Sequence, residues 1–156
     1  MSHWQAGSVK LQCNLEVMIK VLMRVKPSWV KHIQTSPAGN LKIVNDHTGE
    51  VEDGYSIVIR HGGYRRDGKS GADDIKFADI GMKYDPNSKE WKYKADTPYL
   101  PDNLKKFDKV LTQEAGVEQA HAIANQLGLQ VKEIRVGGQT KVVMRAPVSK
   151  THMLGV

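Results

Sequence analysis

Residues 80–95 contain the pattern that most limits the folds open to this chain. Apolar residues occupy every second position in two runs that flank the turn 85–89. The apolar members of these runs are Ile80, Met82, Tyr84, Trp91, Tyr93 and Ala95. Because successive side chains of a strand point to opposite faces, the pattern predicts an antiparallel hairpin with one buried face. Other apolar elements must therefore cover that face.

The segment 15–26 is predicted to be a largely buried helix. Its polar residues form one narrow stripe, Glu16, Lys20 and Arg24. Apolar residues cover the rest of its surface, so most of the helix must face a core. Asn14 can cap the first turn, because its side chain accepts a backbone N–H that has no helical partner. Pro27 ends the helix, since proline lacks the N–H that a further turn needs.

The remaining elements come in groups of strands separated by helices. Further strands are predicted at 8–13, 30–34, 41–44, 55–60, 130–136 and 139–146, with Gly137 and Gly138 as the last hairpin turn. Two helical segments follow the central hairpin: Asp102 caps the first, and the second runs from Gly116 to a stop at Gly128.

This order predicts an α+β fold: a twisted, mostly antiparallel sheet with two to three helices packed on one face. A chain of 156 residues is long enough to bury a core without disulfides or metals. We therefore expect a single domain, 1–156, in which 147–156 form a loose tail.

Cysteine content and charge limit the compartment and the partner. Cys13 has no second cysteine to pair with, and no basic-then-apolar signal stretch precedes it, so we expect the cytoplasm, or the stroma if the gene is plastid-encoded. No apolar run reaches the roughly 18 residues that a membrane span needs, so no membrane insertion is expected. The net charge of +6 favours an acidic partner such as nucleic acid, an anionic surface or an acidic protein.

The stretch 63–70, GYRRDGKS, matches the G-x-x-x-x-G-K-[ST] pattern of a phosphate-binding loop. Such a loop works by joining a strand to a helix whose N-terminal N–H groups meet the phosphates. After Ser70, however, residues 75–84 have strand periodicity, and Asp73 and Asp74 add negative charge close to the phosphate position. We therefore interpret the match as a coincidence and predict no nucleotide cofactor.

The same region has a better interpretation as a basic contact loop. Glycines recur among charged residues in 61–74, which predicts a long mobile loop. The candidate contact residues for nucleic acid or another partner are Arg60, Tyr64, Arg65, Arg66 and Lys69. Cationic side chains contact phosphates, and an aromatic ring stacks on bases. The alternative is a solvated loop whose tyrosine packs back onto the sheet.

No residue pattern predicts a catalytic or metal site. None of the six histidines has the spacing of metal ligands. His121 lies on the apolar flank of its helix and is interpreted as a satisfied, partly buried histidine rather than a base. Asp79 and Asp96, on adjoining strands of the central hairpin, could approach each other as an acid–base pair, but backbone groups or lysines are commoner partners. Cys13 is interpreted as a small buried residue rather than a nucleophile.

Five blocks of sequence resemble a known family in their order and spacing. The blocks are MSHW (1–4), ADIGM (78–82), WKYKAD (91–96), FDKVLTQ (107–113) and GLQV (128–131). They resemble the hypothetical chloroplast reading-frame family, thirty-fifth of the plastid series, which comprises small uncharacterised proteins of red-algal plastids, cyanobacteria and other bacteria. The chain departs from that family at 114–117, where the family has an aromatic run, and in its longer basic loop, as a divergent, virus-encoded member would. The resemblance implies a compact non-enzymatic α+β protein, and it carries over no catalytic residue.

The sequence thus predicts a small intracellular, non-enzymatic accessory protein that binds a macromolecular partner, in the first instance a protein, through the sheet face or the basic loop. An alternative is a nucleic-acid-binding protein that uses the basic loop 60–70. A more remote alternative is an enzyme with a carboxylate or histidine base. No cofactor and no metal is predicted, and the sequence leaves the oligomeric state open.

Overall fold

The computed structural model describes residues 3–137 and 139–146. The predicted turn residue Gly138 and the predicted tail 147–156 lie outside the described residues, as do the first two residues of the MSHW block. The chain divides into two compact units, residues 1–112 and 113–156. The α+β class with mostly antiparallel sheets is confirmed, whereas the single domain 1–156 stays a prediction.

The first unit contains seven strands and most of the helical segments. Its strands are β1 Gln5–Val9, β2 Ile33–Thr35, β3 Leu41–Val44, β4 Val51–Tyr55, β5 Ile57–Ile59, β6 Ile80–Asp85 and β7 Glu90–Ala95. Its helix is α1 Leu15–Val25, and short 3-10 helices span Pro27–His32, Thr97–Tyr99 and Asp102–Leu104. Five strands form one sheet in the order β1-β7-β6-β5-β2, and β3 pairs with β4 in a second, two-stranded sheet. All these strand pairs are antiparallel.

The central hairpin is confirmed. In β6 and β7, Met82 lies opposite Tyr93 and Tyr84 lies opposite Trp91. One face of the hairpin carries its buried apolar side chains, Ile80, Met82, Trp91, Tyr93 and Ala95. The alternation in the sequence therefore identified both the pairing and the buried face.

The predicted α1 is also confirmed, with its cap. Asn14 Oδ1 accepts a hydrogen bond from the N–H of Val17 at 2.9 Å. On the apolar side of α1, Met18, Val21 and Leu22 are completely buried. After α1, Pro27 starts a 3-10 helix instead of a strand, so the predicted strand 30–34 is wrong for all but its last two residues.

The opposite face of the five-stranded sheet carries a second, smaller core. Ile43 and Tyr55, from β3 and β4, pack with Val58 of β5, and Trp4 and Leu41 flank them. Glycine at position 81 makes this packing possible, because a Cβ there would lie 2.6 Å from Tyr55 Cδ1 and 2.7 Å from Ile43 Cγ2.

Two other strand predictions need correction. The strand predicted at 8–13 is Gln5–Val9, because the pairing with β7 ends where Val9 meets Trp91. The predicted strand 55–60 contains the last residue of β4, Tyr55, and the whole of β5. The chain changes sheets at Ser56: Tyr55 pairs with Leu41 of β3, and Ile57 pairs with Met82 of β6.

A single helix replaces the two segments predicted around Gly116. This helix, α2, spans Phe107–Leu127 and crosses the boundary between the two units. One helical glycine costs only about 1 kcal/mol relative to alanine, so it does not end a helix. Gly128 does end α2, as predicted: it has a φ of +67°, and the N–H of Leu129 donates to the carbonyl of Ala124 at 2.8 Å.

The second unit continues from α2 into a hairpin of β8 Gln130–Val136 and β9 Gln139–Arg145. The pairing runs from Gln130 opposite Arg145 to Val136 opposite Gln139, which confirms the predicted hairpin. Gly137 adopts a φ of +58°, which suits the turn. Among the described residues, no helix has both the length and the apolar character needed to cross a bilayer.

The close approach at Gly81 is directly testable. Substituting Gly81→Ala should lower the free energy of unfolding by about 1–3 kcal/mol, because the added methyl group forces the second core apart. Urea denaturation measures the loss. Gly116→Ala is the matched control: a Cβ at this helical position meets nothing within 4 Å, and alanine should raise helix stability by about 1 kcal/mol. Equal effects of the two substitutions would contradict the packing described for Gly81.

Candidate functional site

The buried carboxylate of Asp79 holds the start of the predicted basic loop. Its Oδ2 accepts hydrogen bonds from the N–H of Val44 at 2.9 Å and from Arg60 Nη1 at 2.8 Å. Its Oδ1 accepts from the N–H of His61 at 3.0 Å and from Arg65 Nη1 at 3.2 Å. Four donors, two of them cationic, compensate the cost of burying this carboxylate completely.

Arg60 and Arg65 are therefore occupied inside the protein. Arg60 also donates to the carbonyl of Lys42 at 2.7 Å and to Gln34 Oε1 at 2.7 Å, and 18% of its side chain is exposed. Arg65 also donates to Asp67 at 2.6 Å, and 7% of its side chain is exposed. The hydrogen bond that Arg65 donates to the Asp67 carboxylate raises the pKa of the Arg65 guanidinium. Neither guanidinium is presented to a partner in this arrangement.

The other three predicted contact residues lie on the surface. Tyr64 is 56% exposed, and Arg66 and Lys69 are exposed as well. Arg66 Nε donates to the carbonyl of Asp46 at 3.1 Å. The structure thus divides the predicted contact set into two internal residues and three surface residues. The use of the loop as a contact surface stays a prediction.

A buried histidine–aspartate pair lies beside Asp79. His61 is fully buried, and its Nε2 lies 2.7 Å from Asp46 Oδ2 and 3.9 Å from Asp79 Oδ1. The other ring nitrogen, Nδ1, is buried without a hydrogen-bond partner. No sequence pattern indicates this pair, because 15 positions separate its members and neither belongs to a motif.

The two glycines that flank the GYRRDGKS stretch, Gly62 and Gly71, allow close backbone packing. A Cβ on Gly71 would lie 2.1 Å from the carbonyl oxygen of His61, and one on Gly62 would lie 2.5 Å from that of Gly71. His61 and Ala72 form an isolated parallel bridge at this crossing. No helix follows Ser70, and the next regular element is β6, so the strand-to-helix geometry of a phosphate-binding loop is not formed.

The two hairpin aspartates have different surroundings. Asp79 directs its carboxylate to the donors described above, whereas Asp96, which follows β7 at the same open end of the hairpin, directly precedes the 3-10 helix Thr97–Tyr99. Burial raises the pKa of Asp96 to about 6, against the opposing effect of His3 and His47. Because the Asp79 carboxylate is enclosed by its own donors, the geometry does not favour an acid–base pair between the two residues.

Three lysines share the face of the five-stranded sheet that carries the second core, and we call them the lysine face: Lys83, Lys92 and Lys94. Lys83 of β6 lies directly opposite Lys92 of β7, and Lys94 follows two positions along the same strand. The lysine face lines a cleft of about 200 Å³ together with Glu52 and Tyr55.

The ammonium groups of the lysine face have unequal partners. Lys94 Nζ lies 2.7 Å from both carboxylate oxygens of Glu52, and Lys92 Nζ lies 3.0 Å from Asp85. Lys83 Nζ lies 5.1 Å from the centre of the Tyr55 ring. Burial raises the pKa of the Tyr55 phenol to about 12, with a further contribution from Glu52.

A second cavity of about 490 Å³ lies near the start of α1. Its lining contains no charged side chain and consists of Gln12, Cys13, Asn14, Leu15, Pro37, Ser56, Tyr84 and Trp91. Cys13 is half-buried in a loop rather than on a strand, and its carbonyl accepts a hydrogen bond from Trp91 Nε1 at 3.1 Å. Burial raises the pKa of the Cys13 thiol, which disfavours the thiolate.

Other titratable groups form pairs rather than clusters. His121 Nε2 lies 3.3 Å from Glu133 Oε1 without the alignment of a hydrogen bond, so this histidine is paired and part-exposed. Within residues 3–137 and 139–146, no group of three or more histidine, cysteine, aspartate or glutamate side chains could hold a metal ion.

Comparison with known proteins returned no relative. No family model, no curated protein and no solved structure matches this chain. The resemblance to the plastid reading-frame family therefore stays a prediction.

The Asp79 cluster yields a prediction about stability. Asp79→Asn removes the negative charge but keeps the shape, which leaves Arg60 and Arg65 without their shared partner. The free energy of unfolding should fall by about 3–5 kcal/mol, as when one member of a buried ion pair is removed. Chemical denaturation measures the change, and Asp67→Asn, which touches Arg65 from the surface, should cost much less. Similar losses in both variants would exclude a special role for Asp79.

The raised pKa of Asp96 yields a prediction about pH. Between its ordinary value of 3.8 and about 6, the folded protein holds a proton that the unfolded chain releases, so stability from this group falls as the pH rises through this window. Asp96→Asn should therefore raise the melting temperature relative to the native chain more at pH 8 than at pH 4.

Asp102→Asn is the control for this comparison, because Lys105 lowers the pKa of Asp102 and the sign of the effect is reversed. If Asp96→Asn changes the melting temperature by the same amount at pH 4 and at pH 8, burial does not raise the pKa of Asp96 as described.

Proposed function

We propose that this protein is a small, intracellular, non-enzymatic accessory protein that binds an acidic segment of a protein partner through the lysine face. The observation that carries the proposal is the direct cross-strand pairing of Lys83 with Lys92. Like charges at opposed positions of an antiparallel pair destabilise the sheet. A carboxylate placed between them would turn this repulsion into attraction, so the arrangement favours an anionic ligand.

The ion pairs around the lysine face support exchange with such a ligand. The side chains of Lys92 and Lys94 are 48% and 34% exposed. Pairs at this exposure contribute little to stability, so a partner carboxylate can replace Glu52 or Asp85 at small cost. Among the described residues, no carboxylate lies within 4.0 Å of Lys83, which leaves that ammonium group ready for a partner.

The dimensions of the lysine face favour an acidic peptide segment over nucleic acid. Its three cations span two neighbouring strands about 4.8 Å apart. Nucleic acid is usually bound along a longer track of cations, whose number sets the affinity and its salt dependence. Glu52 and Asp85 lie beside the lysines and would repel a continuous line of phosphates, whereas a short acidic segment can place single carboxylates between them.

The buried groups support a non-enzymatic role. His61, Asp46 and Asp79 are the groups closest to an acid–base constellation, and all three are buried and engaged in internal contacts. A catalytic base must come within hydrogen-bond reach of a substrate proton. The nucleic-acid alternative rests on a different surface, the exposed Tyr64 with Arg66 and Lys69.

A charge-reversal experiment tests the proposal. The tagged native chain and the variant Lys83→Glu with Lys92→Glu are used to recover partners from the native cell, each with and without nuclease, and the recovered proteins are identified by mass spectrometry. The variant should lose a nuclease-resistant protein partner at least tenfold. We also expect the salt sensitivity of that complex to decrease, because fewer cations then contribute to it.

Lys20→Glu with Lys31→Glu is the matched control. Both lysines are exposed on the first helical segments, and the double change alters the net charge by the same amount. The control should retain the partner. If the control loses the partner as well, only net charge matters and the lysine face is not the site. The nucleic-acid alternative would be supported instead if the recovered partners are lost after nuclease treatment and are also lost in the variant Arg66→Glu with Lys69→Glu.

A further inference from the structure

The second unit exposes apolar surface that its own core does not use. Five of the nine large hydrophobic residues that are exposed in the described part of the chain belong to it, namely Ile123, Leu127, Ile134, Val136 and Met144. In the described part of this unit, only Val117 and Ala124 are buried hydrophobic residues. Ile134 and Val136, two positions apart on one strand, share a face, and contiguous exposed apolar surface marks interaction sites.

Among the described residues, no further strand lies along either edge of the hairpin β8–β9. Each of its strands is seven residues long, and among the described residues neither pairs with a further strand. Isolated two-stranded sheets are marginally stable, and a long unprotected edge readily accepts another strand. Neither strand contains a proline that would block such pairing.

The two faces of the hairpin differ in what they contact. Glu133 and Arg135 lie on one face, and their side chains reach His121 at 3.3 Å and Glu114 at 3.5 Å on α2. The alternate residues Lys132, Ile134 and Val136 therefore lie on the other face. The outer face thus combines apolar side chains with a cation.

Charge on this hairpin identifies the kind of partner it suits. Across the strands, Lys132 lies opposite Val143 and Ile134 lies opposite Lys141. The outer face therefore presents two lysines among three apolar side chains, and no described acidic side chain lies within 4.0 Å of either lysine. A second copy of the same cationic hairpin would meet it with like charge. An extended segment that alternates acidic and apolar residues would place its acidic side chains beside the outer-face lysines and its apolar side chains beside the other face, where Met144 is exposed.

We propose that β8–β9 binds an extended segment of another protein in which acidic and apolar residues alternate, and that this segment adds to the hairpin as a further strand. Backbone hydrogen bonds at the edge provide affinity, and the side-chain alternation provides specificity. This surface shares no residue with the lysine face, so the two proposals stand or fall independently.

The test uses a fluorescein-labelled heptapeptide in which glutamate and valine alternate, with fluorescence anisotropy as the readout and the full-length protein as the receptor. A peptide of the same composition with its glutamates and valines in two separate blocks is the control ligand. The alternating peptide should bind at least tenfold more tightly than the block peptide. Hydrogen exchange should show new protection of backbone amides within 130–145.

Surface variants locate the site without touching the core. Lys132→Glu with Lys141→Glu should weaken the alternating peptide at least tenfold, while Lys83→Glu with Lys92→Glu should leave its affinity unchanged. The proposal would be overturned if the two peptides bind with equal affinity or if neither binds. It would also be overturned if only the variant Lys83→Glu with Lys92→Glu loses binding. Concentration-dependent dimerisation that is abolished by the Lys132 and Lys141 changes would also overturn it, since a second copy would then occupy the hairpin.

Discussion

The buried carboxylate of Asp79 is the interaction on which the first unit most depends. It connects three separate parts of the chain: the end of β3 through Val44, the segment after β5 through Arg60 and His61, and the basic loop through Arg65. None of these parts alone could bury a charge, because each supplies only one or two donors. Together they order a glycine-rich stretch whose composition predicts a mobile loop, and they turn two of its arginines inward.

Local patterns predicted the elements that local physics controls. The alternation around Met82 and Tyr93 identified the central hairpin, Asn14 identified the start of α1, and Gly128 identified the end of α2. In each case the deciding contact lies within a strand pair or a helical turn. The continuous α2 shows the limit of this approach, since the modest cost of Gly116 is smaller than the gain from continuing the helix.

Long-range contacts account for what was missed. Asp79 meets its donors across separations of up to 35 positions, and no pattern in the sequence marks such partners. Strand β4 escaped prediction because VEDGY is acidic and contains glycine, yet it pairs with β3 and contributes Tyr55 to the second core. The lysine face could be predicted only in part. Alternation places its members on the polar side of the hairpin, but only the register of the strands determines that Lys83 lies opposite Lys92.

The same contacts shape the proposed function. Because Arg60 and Arg65 neutralise Asp79, the positive charge available to a partner lies on the lysine face and on the outer residues of the loop. The binding surface we favour is therefore a regular sheet face, which holds its cations at fixed spacing.

The most direct test is the amide hydrogen exchange of Val44 and His61 in the unbound protein. Both N–H groups donate to the Asp79 carboxylate. If that carboxylate orders the loop as described, both amides exchange as slowly as those of the central hairpin. If they exchange as fast as the exposed amide of Ser70, the loop is mobile, Arg60 and Arg65 are free to meet a partner, and the structural role assigned to Asp79 is wrong.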